Sequence, residues 1–239
     1  MSAHLDPSSE MEDFDTFHIF GFLDDVAFPT ARSSSARDTE TAHDVQRAFY
    51  SGYLRRHGLK AQVVWLSIGM IGSVYITELC QNNNGVQDLS GLNDYLLELL
   101  QGIFLGGLFP CLYCDRIFAI LVTILPRFAN PTTEQHLINL RLVSPRECIQ
   151  LIFADFKNTF TLYEAHRFQR LGIHGVKARR MFLASFSILN GYYCIRGLRS
   201  MYFGYLPPTL KEYLPLGEVL RPPPAVNLGQ VWDYGIPLN

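Results

Sequence analysis

Three groups of residues in this chain carry side chains suited to chemistry. Asp24, with Asp25 beside it, and Asp115 each stand at the end of an apolar stretch, FHIFGFL before Asp24 and LFPCLYC just before Asp115. An unpaired carboxylate at the end of a buried strand is costly unless something answers its charge. Arg146, Gln150 and Lys157 lie on the polar side of a helix. Its other side is the stripe Ile149, Ile152, Phe153, Phe156 and Phe160, at the period of an α-helix. The third group is RAFYSGYLRRHGLK, where Arg47, Arg55, Arg56, His57 and Lys60 alternate with Phe49, Tyr50 and Tyr53. Cations with interleaved aromatics suit contact with a nucleic-acid backbone; the alternative is a solvated face flanking a hairpin.

The elements that must position these residues follow from pattern. Phe17 to Phe28 is strand-like and leads into Asp24-Asp25. Residues 30–45, rich in Ser, Thr, Ala, Arg and Asp, read as an exposed loop. Gln62 to Ile68 and Ser73 to Thr77 are β-branched and aromatic, which predicts a hairpin around Gly69 to Gly72. Asn82 to Gly85 reads as a turn, and Leu89 to Leu100 as a helix with Leu92, Tyr95, Leu96 and Leu99 on one face. Gly102 to Tyr113 has the composition of a buried strand, and Ile117 to Leu125 continues apolar. Ser144 as N-cap and Pro145 as first residue predict the start of the helix that carries Arg146. A basic connector, Tyr163 to Gly175, leads to a second helix over Val176 to Ile195, with Phe182, Phe186 and Leu189 inward and Lys177, Arg179 and Arg180 at its start. The expected organisation is a disordered stretch over 1–16, one α/β domain over 17–205, and a proline-rich extended tail over 206–239.

Composition sets broad limits. The chain has 239 residues, is 48% hydrophobic and carries a net charge of −2. It can bury a full core, and any nucleic-acid contact must come from a local patch rather than from overall charge. Five cysteines at irregular spacing, with no signal peptide at the start, point to a reducing compartment and a non-secreted protein. Cys111 and Cys114 form one CxxC without a second pair or a nearby histidine, so strand cysteines are expected rather than a zinc site. The uncharged stretch Ala61 to Thr77 is short for a membrane span, and Gly102 to Tyr113 runs into Asp115 and Arg116, so no membrane insertion is expected.

Several blocks resemble one family in order and spacing. Gly21-Phe22-Leu23-Asp24 resembles the entry strand of Harbinger-type DDE transposases and the nucleases related to them. Gln46 to Gly52, then His57-Gly58-Leu59-Lys60 and Gln62, resemble their second block. Tyr113 to Phe118, running to Leu125-Pro126-Arg127-Phe128, resembles the third, and Asn139, Arg146, Phe153 and Lys157 the fourth. Leu189-Asn190 with Cys194 to Gly197 is similar to the closing motif. The resemblance covers about residues 17 to 215.

It implies a ribonuclease-H-like α/β fold, a mixed central sheet flanked by helices. It also implies a two-metal endonuclease in which three carboxylates hold Mg²⁺ or Mn²⁺ ions about 4 Å apart. On this mapping the first ligand is Asp24, with Asp25 as its alternate, and the second is Asp115. The third acidic position falls on Gln150. An amide can touch a cation but cannot supply the charge two divalent ions need, so metal binding is expected to be weak and catalysis impaired. Glu147, one turn earlier, is the alternative donor. The glycine after the first acid is replaced by Asp25, the one before the second by Cys114, and an aspartate-bearing block by Gln81 to Asn84. DNA is the implied partner, with contacts from Arg47, Tyr50, Arg55, Arg56, His57, Lys60, Arg146 and Lys157. The helical DNA-binding segment that often precedes the domain in relatives has no counterpart here, so an accessory DNA-binding protein is a further expected partner. The implied location is the nucleus, or the cytoplasm. The competing reading is a non-catalytic DNA- or protein-binding module derived from a transposase.

Overall fold

A computed structural model of the chain describes residues 17–31, 40–101, 103, 109–161, 171–197 and 207–219. The expectations for residues 1–16, for 32–39 of the exposed loop, for Gly102 to Leu108 apart from Ile103, for 163–170 of the connector that runs from Tyr163 to Gly175, and for 198–206 and 220–239 lie outside the described residues.

The apolar run entering Asp24 forms the long central strand β1, Phe17–Pro29. It is flanked on one side by β3, Arg56–Leu66, which is antiparallel to it, and on the other by β5, Phe109–Cys114, which is parallel. β4, Ile71–Glu78, pairs antiparallel with β3 and completes the expected hairpin, turning through Gly69 at φ 80°. β2, Tyr50–Ser51, caps the start of β3, and β6, Ile124–Pro126, extends the other edge alongside β5. The sheet is therefore mixed: β1, β3 and β4 form an antiparallel meander, and β5 and β6 run parallel to β1. Gly21 permits the close approach of β1 and β3, since a Cβ there would lie 2.5 Å from the Trp65 carbonyl oxygen.

Helices cover both faces. Alternate residues of β1 point to opposite sides. Phe22, Val26 and Phe28 join Ile149, Ile152, Phe153 and Phe156 of α4, Thr133–Thr159, and Phe182, Phe186, Leu189 and Tyr193 of α5, Leu171–Arg196. Leu23 faces the other way and joins Leu112, Cys114 and Leu92 and Leu96 of α3, Leu92–Leu99. α1, Glu40–Phe49, α2, Asn83–Ser90, and α6, Leu210–Val219, are the other helices among the described residues. None of the described helices is long and apolar enough to cross a membrane. Asn190 of α5 ties the second helix to the sheet: its amide accepts from Ile71 N–H and donates to Ile71 C=O, both at 2.8 Å.

Several boundaries differ from expectation for identifiable reasons. Asn82 to Gly85 is not a free turn: Asn82 caps α2 by accepting from Gly85 N–H, and the expected Leu89–Leu100 helix is split from it by Gly91 at φ 60°. The helix expected to start at Ser144 begins at Thr133, capped by Thr132 and Gln135 in a reciprocal capping box, and runs through Pro145. The second helix starts at Leu171 rather than Val176. Part of the 30–45 segment is helical, since α1 begins at Glu40. Ile117 to Leu125 is mostly a turn leading to the short β6, with Ile117, Ile120 and Val122 exposed. The tail expected to be extended forms α6 over Leu210–Val219, where Tyr213 Oη lies 3.4 Å from Asn190 Nδ2.

Candidate functional site

Parity and pairing separate the two adjacent aspartates. Asp24 falls between Phe22 and Val26 and shares their face, the one covered by α4 and α5. Asp25 falls on the opposite face, beside its β3 partner Gln62. Asp115 follows directly on β5, whose Cys114 pairs with Leu23, so strand pairing sets Asp115, just past the carboxyl end of β5, next to Asp24. Asp24 itself lies within β1 and not at the strand end expected for it, because β1 runs on to Pro29 against β3. Each carboxylate also accepts the next residue's backbone N–H at 2.8 Å, Asp25 for Asp24 and Arg116 for Asp115.

α4 supplies the third member. It runs alongside β1 in the same direction. Asn139 near its start accepts from Tyr113 Oη at 3.1 Å and holds Phe128 through its backbone N–H and C=O, while Phe156 near its end packs on Phe28 with ring centroids 5.2 Å apart. Arg146 lies between, and its Nη1 is 4.0 Å from Asp115 Oδ2. Asp24 is pushed above the ordinary carboxylate range chiefly by burial. Its bond from Asp25 N–H and the Arg146 charge pull it down, and the Asp115 charge raises it. Two carboxylates and one guanidinium therefore form a single electrostatic cluster.

Gln150 lies one turn beyond Arg146, exposed, and makes no hydrogen bond among the described residues; Glu147 is also exposed. Among the described residues no group of three or more His, Cys, Asp or Glu side chains is placed to hold a metal ion. The donor set next to Asp24 is thus two carboxylates already answered by an arginine. Such a set does not fit a centre for two divalent ions, whose charge calls for more anionic oxygen than two carboxylates supply.

The opposite face holds a second polar pair that sequence reasoning assigned differently. Lys60, expected as a nucleic-acid contact, is half-buried. Its Nζ lies 3.8 Å from Asp25 Oδ2 and donates to Asn83 Oδ1 at 3.1 Å. The Asp25 side chain is 5% exposed and neither of its oxygens accepts a hydrogen bond. Burial pushes its carboxyl up to about 7, with Lys60 opposing and Asp24 adding to the rise. Burial also lowers the Lys60 ammonium, against the pull of Asp25.

The rest of the expected nucleic-acid set divides. Arg47, Tyr50, Arg55 and Arg56 are exposed, and His57 packs on Tyr50 with ring centroids 5.1 Å apart. Arg146 is turned to Asp115, and Lys157 is half-buried in the last turn of α4. Of the basic start of the second helix, Arg179 sits over the Tyr75 ring at 5.6 Å and Arg180 is exposed. Cys111 and Cys114 are buried in β5 on opposite faces of the sheet, one in each core cluster, so the CxxC is a pair of strand cysteines; burial raises both thiols. The chain was compared with family models, with curated proteins and with solved structures, and it matches none of them.

Proposed function

We propose that this chain is a transposase-derived domain of the DDE endonuclease type, ribonuclease-H-like in fold, whose carboxylate site has lost cleavage competence while its nucleic-acid contacts persist. The observation that carries the reading is the convergence of Asp24 and Asp115, residues far apart in sequence, on adjacent parallel strands and against Arg146 of α4. These are three positions that the resemblance singles out. A mixed sheet with helices on both faces also agrees with it. The non-catalytic reading gains from one specific feature: Arg146 already supplies positive charge to the pair, and Gln150 adds none. A nuclear site of action, where DNA is the partner, goes with this function.

The test is a plasmid-nicking assay with Mg²⁺ or Mn²⁺. Wild-type protein is expected to nick at or near background. Gln150→Glu is expected to raise nicking at least about tenfold, because a carboxylate restores the third anionic donor. Robust wild-type cleavage that vanishes in Asp115→Ala would overturn the loss of competence. If Glu147→Ala abolished such cleavage, the third donor would be Glu147 and not position 150.

A further inference from the structure

The exposed half of the basic block is a single structural unit. β2 and the start of β3 pair as Tyr50 with His57 and Ser51 with Arg56, closing a short hairpin whose tip is Gly52 to Arg55. Ser51 Oγ accepts from Leu54 N–H at 3.2 Å, and Arg55 holds a left-handed backbone at φ 52°. The tip is thereby shaped by its own backbone, with a non-glycine residue in a conformation that ordinary turns avoid. Tyr53 at the tip is 95% exposed, a large aromatic face offered to solvent. Arg47 on the adjoining end of α1 and Arg55 and Arg56 of the hairpin are all exposed, and none of the three pairs with a carboxylate among the described residues; Arg56 Nε donates to Leu54 C=O at 3.3 Å.

The hairpin is also placed in line with the carboxylates. β1 continues past Asp24 to Pro29, which pairs with Gly58 at the base of the hairpin. The hairpin therefore stands off the end of the sheet toward which β1 and β5 deliver their carboxylates. Its base lies about 17 Å beyond Asp24 along the strand, at roughly 3.4 Å per residue, and its tip lies further on in the same direction. A backbone passing Asp24 and Asp115 could continue to the hairpin within a few nucleotides.

We propose that this hairpin is a grip for single-stranded nucleic acid: the Tyr53 ring stacks on an unpaired base, and Arg47, Arg55 and Arg56 hold the flanking phosphates. A ring projected free of its own fold can reach the face of a base only where that base is unstacked, which favours a single strand over an intact duplex. An acidic protein would use the same cations but would have no need of the ring. The inference rests on nucleic-acid binding by the domain and not on cleavage.

The experiment is fluorescence anisotropy on the full chain. It uses a labelled oligothymidine strand of about 15 nucleotides, a duplex of the same length, and polyglutamate as competitor. Tyr53→Ala is expected to weaken single-strand binding about tenfold, with Tyr53→Phe within about twofold of wild type, because the ring and not the hydroxyl stacks. Duplex binding should change less than about twofold. The double variant Arg55→Ala/Arg56→Ala should reduce the slope of log affinity against log salt by about 1.4, roughly 0.7 for each single-strand phosphate that is no longer neutralised. The tip is solvent-exposed, so unchanged thermal melts are expected for all three variants.

Tyr53→Ala binding the strand like wild type, Tyr53→Phe as weak as Tyr53→Ala, or an unchanged salt slope would each overturn the proposal. If duplex binding persists in that case, the hairpin assignment alone falls. If wild type binds neither strand nor duplex at about 50 mM salt, nucleic-acid binding by the domain falls with it. Displacement by polyglutamate at equal charge, with Tyr53 making no difference, would assign the hairpin to an acidic protein instead.

Discussion

Stability is expected to fall as pH rises from about 4 to about 7, through the carboxyl group of Asp25. In the folded chain this carboxyl is buried without a hydrogen bond to either oxygen, and burial lifts it from its ordinary 3.8 to about 7. Between those values the native state keeps a proton that the unfolded state has released. Stability then decreases with pH across that window and levels off above it. The gap corresponds to an effect on the order of 4 kcal/mol. Lys60, 3.8 Å away, opposes the rise without cancelling it, because its own ammonium is also disfavoured by burial. Other carboxylates titrate in the same range, so the comparison must be with Asp25→Asn. Urea unfolding midpoints of the two proteins should diverge from about pH 4 to about pH 7, the wild type losing ground by about 1–2 M. Parallel curves would show that Asp25 is ionised throughout and that its charge is fully answered by Lys60.

Phe156→Ala is the second change with a large expected effect. Phe156 is fully buried where α4, α5 and β1 meet, with ring centroids 4.2 Å from Phe186, 5.2 Å from Phe28 and 6.1 Å from Phe182. Removing the ring leaves a cavity that three neighbouring phenylalanines cannot collapse into without leaving their own positions. A loss of about 3–5 kcal/mol is expected, read as a drop in the urea midpoint. The same change loosens the segment that presents Arg146, so amide protection along α4 near Arg146 should fall more than along β1. A loss below about 1 kcal/mol would mean that the helix is held mainly elsewhere, for example by Asn139.

Much of the frame was legible because it rests on local periodicity. The apolar run into Asp24, the hairpin around Gly69 and the stripe Ile149 to Phe156 each appear where pattern places them. Boundaries failed where one residue type serves two purposes. Asparagine before a glycine reads as a turn, yet Asn82 is a helix cap, because both uses rest on the same side-chain oxygen reaching a nearby backbone N–H. Pro145 reads as a helix start, but the stronger signal was upstream: Thr132 and Gln135 have the spacing of a capping box.

At the site, sequence could place Asp115 at a strand end and Asp24 and Asp25 on the first strand, but it could not show that this strand runs on past them to Pro29, nor decide which of the two neighbours faces α4. That depends on which face each helix covers, a non-local property. Lys60 could not be told from its basic neighbours either, since its partner Asp25 lies 35 positions earlier and meets it only through the β1–β3 register. The pairing of Arg146 with Asp115 is equally non-local and turns a residue read as a DNA contact into part of the carboxylate cluster.

The central claim is that Asp24, Asp115 and position 150 of α4 are the places of a three-carboxylate site, with an amide in the third. Calorimetric titration with Mn²⁺ of wild type, Gln150→Glu and Gln150→Glu/Asp115→Asn tests it most directly. Wild type is expected to bind weakly, with a dissociation constant on the order of millimolar. Gln150→Glu should tighten binding at least about tenfold, or more than about 1.4 kcal/mol. The added Asp115→Asn should return it to the wild-type level. A Gln150→Glu protein no tighter than wild type, or a gain that survives Asp115→Asn, would show that position 150 does not share a site with Asp115 and would contradict the claim.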